Sequence, residues 1–191
     1  MRLYVLTGAK KKDLPACRFV KSRNDYLVNP RSTRSQEPDM NNQNRQIESA
    51  IRQLHETFEQ ATKAKDLDRI MAQYAPEVVA FDAVGALQFK GVDEYRAHWQ
   101  RCFEFCEGEG FFEAHELHVD AGEALACSRM LIHCGGPNAE GQMQTAWMRG
   151  TRVWGQREGE WKVVHEHFSM PFDMQTGQVH MDQATSTQQV G

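Results

Sequence analysis

Residues 161–173 read WKVVHEHFSMPFD, a β-branched, apolar run interrupted by His165, Glu166 and His167. Ionisable groups in such a run are costly to bury without partners, so the stretch reads as a metal site, an acid–base site or the polar wall of a pocket. Side chains alternate along a strand. That alternation puts Trp161, Val163, His165, His167 and Ser169 on one face and Lys162, Val164, Glu166, Phe168 and Met170 on the other. The expectation is that the histidine face points inward. Glu166 and Phe168 then point outward, with Glu166 meeting Arg149 or Arg152 of the neighbouring strand or lying in a dimer face. Three more β-forming runs precede this one, at 111–120, 123–134 and 143–155, parted by turn formers around Gly122, by GGPNAEG and by QREGE. Strand runs separated by such signals predict an antiparallel meander.

Upstream the period changes to that of helices. Ile47, Ile51, Leu54, Phe58 and Ala61 recur at spacings of four and three from about Asn44 onward, an amphipathic helix. Asp66 is an N-cap candidate for a short helix carrying Leu67, Ile70, Met71 and Tyr74, which Pro76 is expected to end. VVAFDA (78–83) and LQFKG (87–91) flank a turn at Gly85 and predict a hairpin, with Val78, Ala80 and Asp82 on one face. A third helix follows, carrying Val92, Tyr95, Trp99, Cys102, Phe103 and Cys106 on one side. Helices first and long antiparallel strands after define an α+β class.

Composition sets further bounds. The 191 residues are 40% hydrophobic and 25% charged, enough for one domain with a core. No apolar run approaches the roughly 20 residues of a membrane-spanning helix, and the first residues lack a signal-peptide pattern. Residues 1–39 hold nine Lys/Arg against four Asp/Glu, whereas the rest holds 13 against 22. The basic segment has no helical stripe or aromatic interleaving and is expected to be a disordered extension, with Met40 as an alternative start. The domain is expected over 44–181, with a flexible tail over 182–191. An acidic domain argues against nucleic acid as a partner. Five scattered cysteines suit a reduced, cytoplasmic chain.

The order of elements, together with DLDRIMAQYAPEVVAFDAVGALQFKGVDEYRAHW (66–99), MRGTRVWGQREGEWKVVHEHFSMPFD (148–173) and TGQVHMD (176–182), resembles the cone-shaped superfamily of ketosteroid isomerase, scytalone dehydratase, nuclear transport factor and the SnoaL-like cyclases. The ending in Trp, His-Glu-His, Ser and Pro-Phe-Asp is similar to the SnoaL-like, ketosteroid-isomerase-homologue group. The resemblance implies a cone-shaped barrel, three helices packed on a strongly curved, mostly antiparallel sheet, enclosing a pocket for a hydrophobic small molecule. It also implies a homodimer joined through the sheet.

Asp82 matches the place of the isomerase's general base, after the same tyrosine-alanine end, Tyr74-Ala75, of the second helix, and a carboxylate in an apolar cone suits proton abstraction beside a carbonyl. The isomerase's two oxyanion donors match Phe58 and Thr151 here. Phe58 donates nothing and Thr151 is a weak neutral donor, so the isomerase's own mechanism is not expected. The candidate catalytic residues are Asp82, His165 and His167. Tyr74, Phe58, Trp99, Trp147, Arg149, Thr151 and Ser169 are candidate ligand-binding residues. An inward Arg149 would favour an anionic or carbonyl-bearing ligand. No metal or other cofactor is assigned: two ligands at loose spacing do not define a metal centre, and His115 and His118, three apart, are expected on opposite faces. The function expected is cofactor-free isomerase, dehydratase or cyclase chemistry on a hydrophobic carbonyl compound. The alternative is a non-catalytic ligand-binding or dimerisation module of the same fold.

Overall fold

A computed structural model describes residues 37–181, with side chains from residue 42 onward. All but the last three residues of the basic extension, and the tail over 182–191, lie outside the described residues. Helix α1 spans Glu37–Lys63, α2 Leu67–Met71 and α3 Val92–Glu104. The strands are β1 Tyr74–Phe81, β2 Phe89–Lys90, β3 Phe111–Ala121, β4 Leu125–Pro137, β5 Met143–Arg157 and β6 Glu160–Ser169. No helix among the described residues is long and apolar enough to cross a membrane.

The helical spacing of α1 puts Ile47, Ile51, Phe58 and Ala61 into the core. Asp66 caps α2 as expected, accepting from the Arg69 N–H at 3.1 Å. Tyr74 and Pro76, expected in and after that helix, belong instead to β1. A proline removes a backbone donor, and Pro76 is tolerated because β2 pairs only with Val79 and Ala80, farther along the strand.

The six strands form one sheet in the order β2-β1-β6-β5-β4-β3, antiparallel except for the β1–β6 pair. Both ends of that order are edges, so the cone is an open, curled sheet and not a closed barrel. Helix α1 packs on β3, and α3 packs on β1. The concave face carries Phe112, Ala126, Met130, Ile132, Trp154, Val163 and Phe168, all buried with the helices' apolar residues.

Two β-bulges set which residues reach that face. In β6, Val153 pairs with His165 and Trp154 with Val163, so Val164 is the extra residue. A bulge advances the alternation by one; Val163, Glu166 and Phe168 are therefore all buried, while His167 is exposed. In β3, His115 opposes Leu131 and His118 opposes Arg129, with Glu116 and Leu117 bulged between them. Glu116 takes a left-handed φ of 50° there. Strict alternation thus fails twice: His115 and His118 share the outer face, and His165 and His167 turn away from the core.

Candidate functional site

Two carboxylates share one tyrosine at the centre of the molecule. Glu166, on β6, is fully buried against Arg152 of β5, whose Nε donates to Glu166 Oε2. Glu166 Oε1 accepts from the Tyr74 hydroxyl at 2.9 Å and the Tyr95 hydroxyl at 2.6 Å. The same Tyr95 oxygen lies 2.9 Å from Asp82 Oδ2. One hydroxyl donates only one proton, so Tyr95 serves one carboxylate at a time. Burial, followed by the Glu166 charge, pushes both tyrosines well above their ordinary pKa, and both remain neutral donors.

The Arg152–Glu166 pair is sealed. The guanidinium carbon sits 3.8 Å from the Phe58 ring centroid, and Arg152 Nη1 reaches His55 Nδ1 at 3.5 Å. His55 is held neutral: burial, then the Arg152 charge, lowers its pKa to about 2. Its Nε2 meets Ser128 Oγ at 2.9 Å, which also accepts from the Trp154 indole at 2.9 Å.

Asp82 is different because it opens onto a cavity of about 310 Å³. It follows β1, where strand parity turns it inward with Val78 and Ala80, as the sequence predicts. The Val84 N–H donates to its Oδ1 at 3.1 Å, and His98 Nε2 stands 3.3 Å from its Oδ2. Helix α3 delivers Tyr95, His98, Trp99 and Cys102 to this end of the core, since residues three and four apart share a helix face. Phe89 stacks on the His98 ring at 4.2 Å. Gly85, at φ +84°, lies so close that an added Cβ would stand 3.2 Å from His98 Cε1. Burial alone would lower the His98 pKa, but hydrogen bonds with Asp82 and Cys102 and the Asp82 charge outweigh it and raise the value to about 9. At neutral pH His98 is therefore an imidazolium held beside Asp82.

The rest of the cavity wall is mostly apolar and includes Trp99, Phe103, Phe112, Met148 and Phe168, with the thiols of Cys102, Cys106 and Cys134. Burial pushes the Cys134 thiol up to about 11, so it presents a neutral surface. The Trp99 indole N–H has no hydrogen-bond partner among the described residues. A second depression, of about 610 Å³, lies between α1, α2 and β6 and shares no lining residue with the first.

Of the residues singled out in the sequence, Asp82 and Trp99 line the cavity. Tyr74 and Phe58 are core residues of the Glu166–Arg152 cluster. The other six, His165, His167, Trp147, Arg149, Thr151 and Ser169, lie on the outer face, and their inward placement is corrected. On β5 the inward positions are Met148, Gly150, Arg152 and Trp154. Trp147 with Arg149 lies on one face of that strand and Trp154 with Arg152 on the other, so apolar content could not choose between them. His165 Nδ1 bonds the Val79 carbonyl at 2.7 Å, and the Phe81 ring packs edge-on to both histidines. With Thr151 outside, Arg152 is the neighbouring inward residue at the isomerase-like donor position; its Nε is taken by Glu166, and its buried Nη2 has no partner among the described residues.

Sequence reasoning missed His98 and the inward Glu166, and read Tyr95 only as apolar. The signal for His98 was present: it stands three residues after Tyr95 and four before Cys102 on the buried side of α3.

A family profile described as SnoaL-like domain matches residues 47–173. Among solved structures, an NTF2-like protein of unknown function from Pseudomonas putida KT2440 is 42% identical, over 73% of this chain and 97% of that one, with a TM-score of 0.68. Two more distant structures share the fold. A protein provisionally named a scytalone dehydratase, from Novosphingobium aromaticivorans DSM 12444, is 13% identical over 68% of this chain and 87% of that one, TM-score 0.61. A protein provisionally named a dehydratase of the NTF2-like family, from Streptomyces avermitilis, is 16% identical over 66% and 97%, TM-score 0.59. No curated protein matches the sequence significantly. With two thirds of its length under the family profile and a close structural relative of the same fold, the chain belongs to the SnoaL-like domain family.

Proposed function

We propose that the cavity binds a hydrophobic carbonyl compound and that Asp82 moves a proton at the carbon beside the carbonyl. The observation that carries this reading is that Asp82, alone among the clustered central carboxylates, lines the apolar cavity. Asp82 takes the proton while the C–H electron pair passes into the enolate, and returns it to the same or a conjugated carbon. Once protonated, Asp82 Oδ2 donates to the Tyr95 oxygen, which leaves Tyr95 free to donate to Glu166; the shared tyrosine then satisfies both carboxylates. No step in this chemistry needs a cofactor. A cavity of this size suits one small, mostly apolar molecule.

His98 is a positioning residue, holding Asp82 toward the cavity. The outer sheet face, with Phe81 39% exposed, is the surface proposed for pairing with a second copy. The unpaired cavity thiols suit a reducing, cytoplasmic setting. A second reading, ligand binding without turnover, is favoured by the three donors around Asp82, which also suit a fixed anchor.

The test is α-proton exchange of 2-tetralone in deuterated buffer, followed by NMR with wild type and Asp82→Asn. General-base catalysis is worth about 10²–10⁴-fold. Exchange accelerated by wild type and at least about 100-fold slower with the variant is expected. Binding of 2-tetralone without accelerated exchange would select the second reading.

A further inference from the structure

On the outer face, the register of β3, β4 and β5 lines up Glu113, His133 and Trp147 as direct cross-strand partners. His115 follows Glu113 by two residues on β3, so it points to the same side. The ligand atoms of Glu113, His115 and His133 all lie within 4.8 Å of one another, and His115 Nε2 is already 3.5 Å from Glu113 Oε2. Around an ion bound at about 2.0–2.2 Å, ligand atoms stand roughly 3–3.5 Å apart, which small side-chain rotations reach from here. The His133 ring is held in place: it stacks on the Trp147 indole at 4.6 Å with planes 7° apart, and Phe111 packs edge-on at 4.8 Å. Glu113 and His115 are exposed on the single chain, so an ion reaches them there without opening the fold, before any second copy pairs on this face.

We propose that Glu113, His115 and His133 form a binding site for a late first-row divalent cation, zinc or copper(II), on the face of the sheet opposite the cavity. Two imidazoles and one carboxylate suit these ions, and three protein ligands leave a coordination position open to water or another donor. The site is independent of the Asp82 cavity, and either proposal survives the failure of the other.

The experiment uses the full-length, untagged chain. Zinc chloride is titrated calorimetrically into wild type, His115→Ala, His133→Ala, a His165→Ala/His167→Ala pair and a Cys102→Ser/Cys106→Ser/Cys134→Ser triple. Circular dichroism checks the fold of each. Wild type is expected to bind one equivalent, His115→Ala and His133→Ala each to weaken it at least tenfold, and the other two variants to bind as wild type does. Copper(II) is expected to quench tryptophan fluorescence in wild type, with most of the quenching lost in Trp147→Phe. The proposal is overturned if wild type binds no zinc, if the two single variants bind as wild type, or if binding disappears with the cysteines or with His165 and His167.

Discussion

Glu166 and Asp82 are two carboxylates within reach of the same Tyr95 hydroxyl, yet they live in different surroundings. Glu166 has no exposure at all and is spent on Arg152, Tyr74 and Tyr95. Asp82 is held by Val84, Tyr95 and His98 but keeps one side on a cavity. The difference separates two uses of a buried charge. A charge with every partner supplied by the protein fixes the fold, because removing it strands the opposite charge. A charge whose remaining side faces an apolar cavity is the one the proposed function uses.

The largest effect expected is on the sealed side. Glu166→Ala leaves Arg152 charged and unpaired in the core, a loss of about 3–5 kcal/mol, to be measured by denaturant unfolding. A change below about 1 kcal/mol would mean that the cluster is not the structural element described here. Gly150→Ala probes the same face without charge. Its Cβ would stand 2.5 Å from Ile132 Cδ1 and 3.2 Å from Phe168 Cε1, and overpacking of this kind costs about 1–3 kcal/mol. Unfolding of this variant measures how tightly the concave face is packed beside the cavity.

Two histidines tell the sealed side from the open one through pH. His55, on the sealed side, has its folded pKa lowered from 6.5 to about 2. Below pH 6.5 the unfolded chain gains a proton that folded His55 refuses, so stability falls with falling pH by up to about 1.4 kcal/mol per unit. His98, on the open side, has its folded pKa raised from 6.5 to about 9. Its contribution is therefore complete below pH 6.5 and is lost as pH rises toward 9. Unfolding measured from pH 4 to pH 10 is expected to fall away on both limbs. His55→Gln should flatten the acid limb and His98→Gln the basic one. If either variant leaves its limb unchanged, the environment assigned to that histidine is wrong.

Much of the fold was legible because burial imposes a period. Ile47, Ile51 and Phe58 announce α1, and Asp66 announces the start of α2. The four β-rich runs mark β3 to β6 to within four residues. Pro76 misled because proline reads as a stop, whereas a stretch of strand that β2 does not reach needs no donor there. At the site, Asp82 and Trp99 could be found because regular alternation and helical spacing hold up to them. His165 and His167 could not be placed, because the extra residue is Val164, which looks like any other β-branched strand residue. A bulge is decided by pairing with the neighbouring strand, and pairing is not written in one strand alone. Arg152 was one of two arginines expected beside Glu166, and the pair forms, but register decides it over Arg149 and places it inside; register likewise sets the alignment of Glu113 with His133.

On the proposed function, the working side of the sheet is the concave one that carries Asp82. Rates of 2-tetralone α-proton exchange with Asp82→Asn and with the His165→Ala/His167→Ala pair, measured beside wild type, test it most directly. A loss of at least about 100-fold is expected for Asp82→Asn, and a rate within about twofold of wild type for the histidine pair. Exchange that survives Asp82→Asn but disappears with His165 and His167 would contradict it.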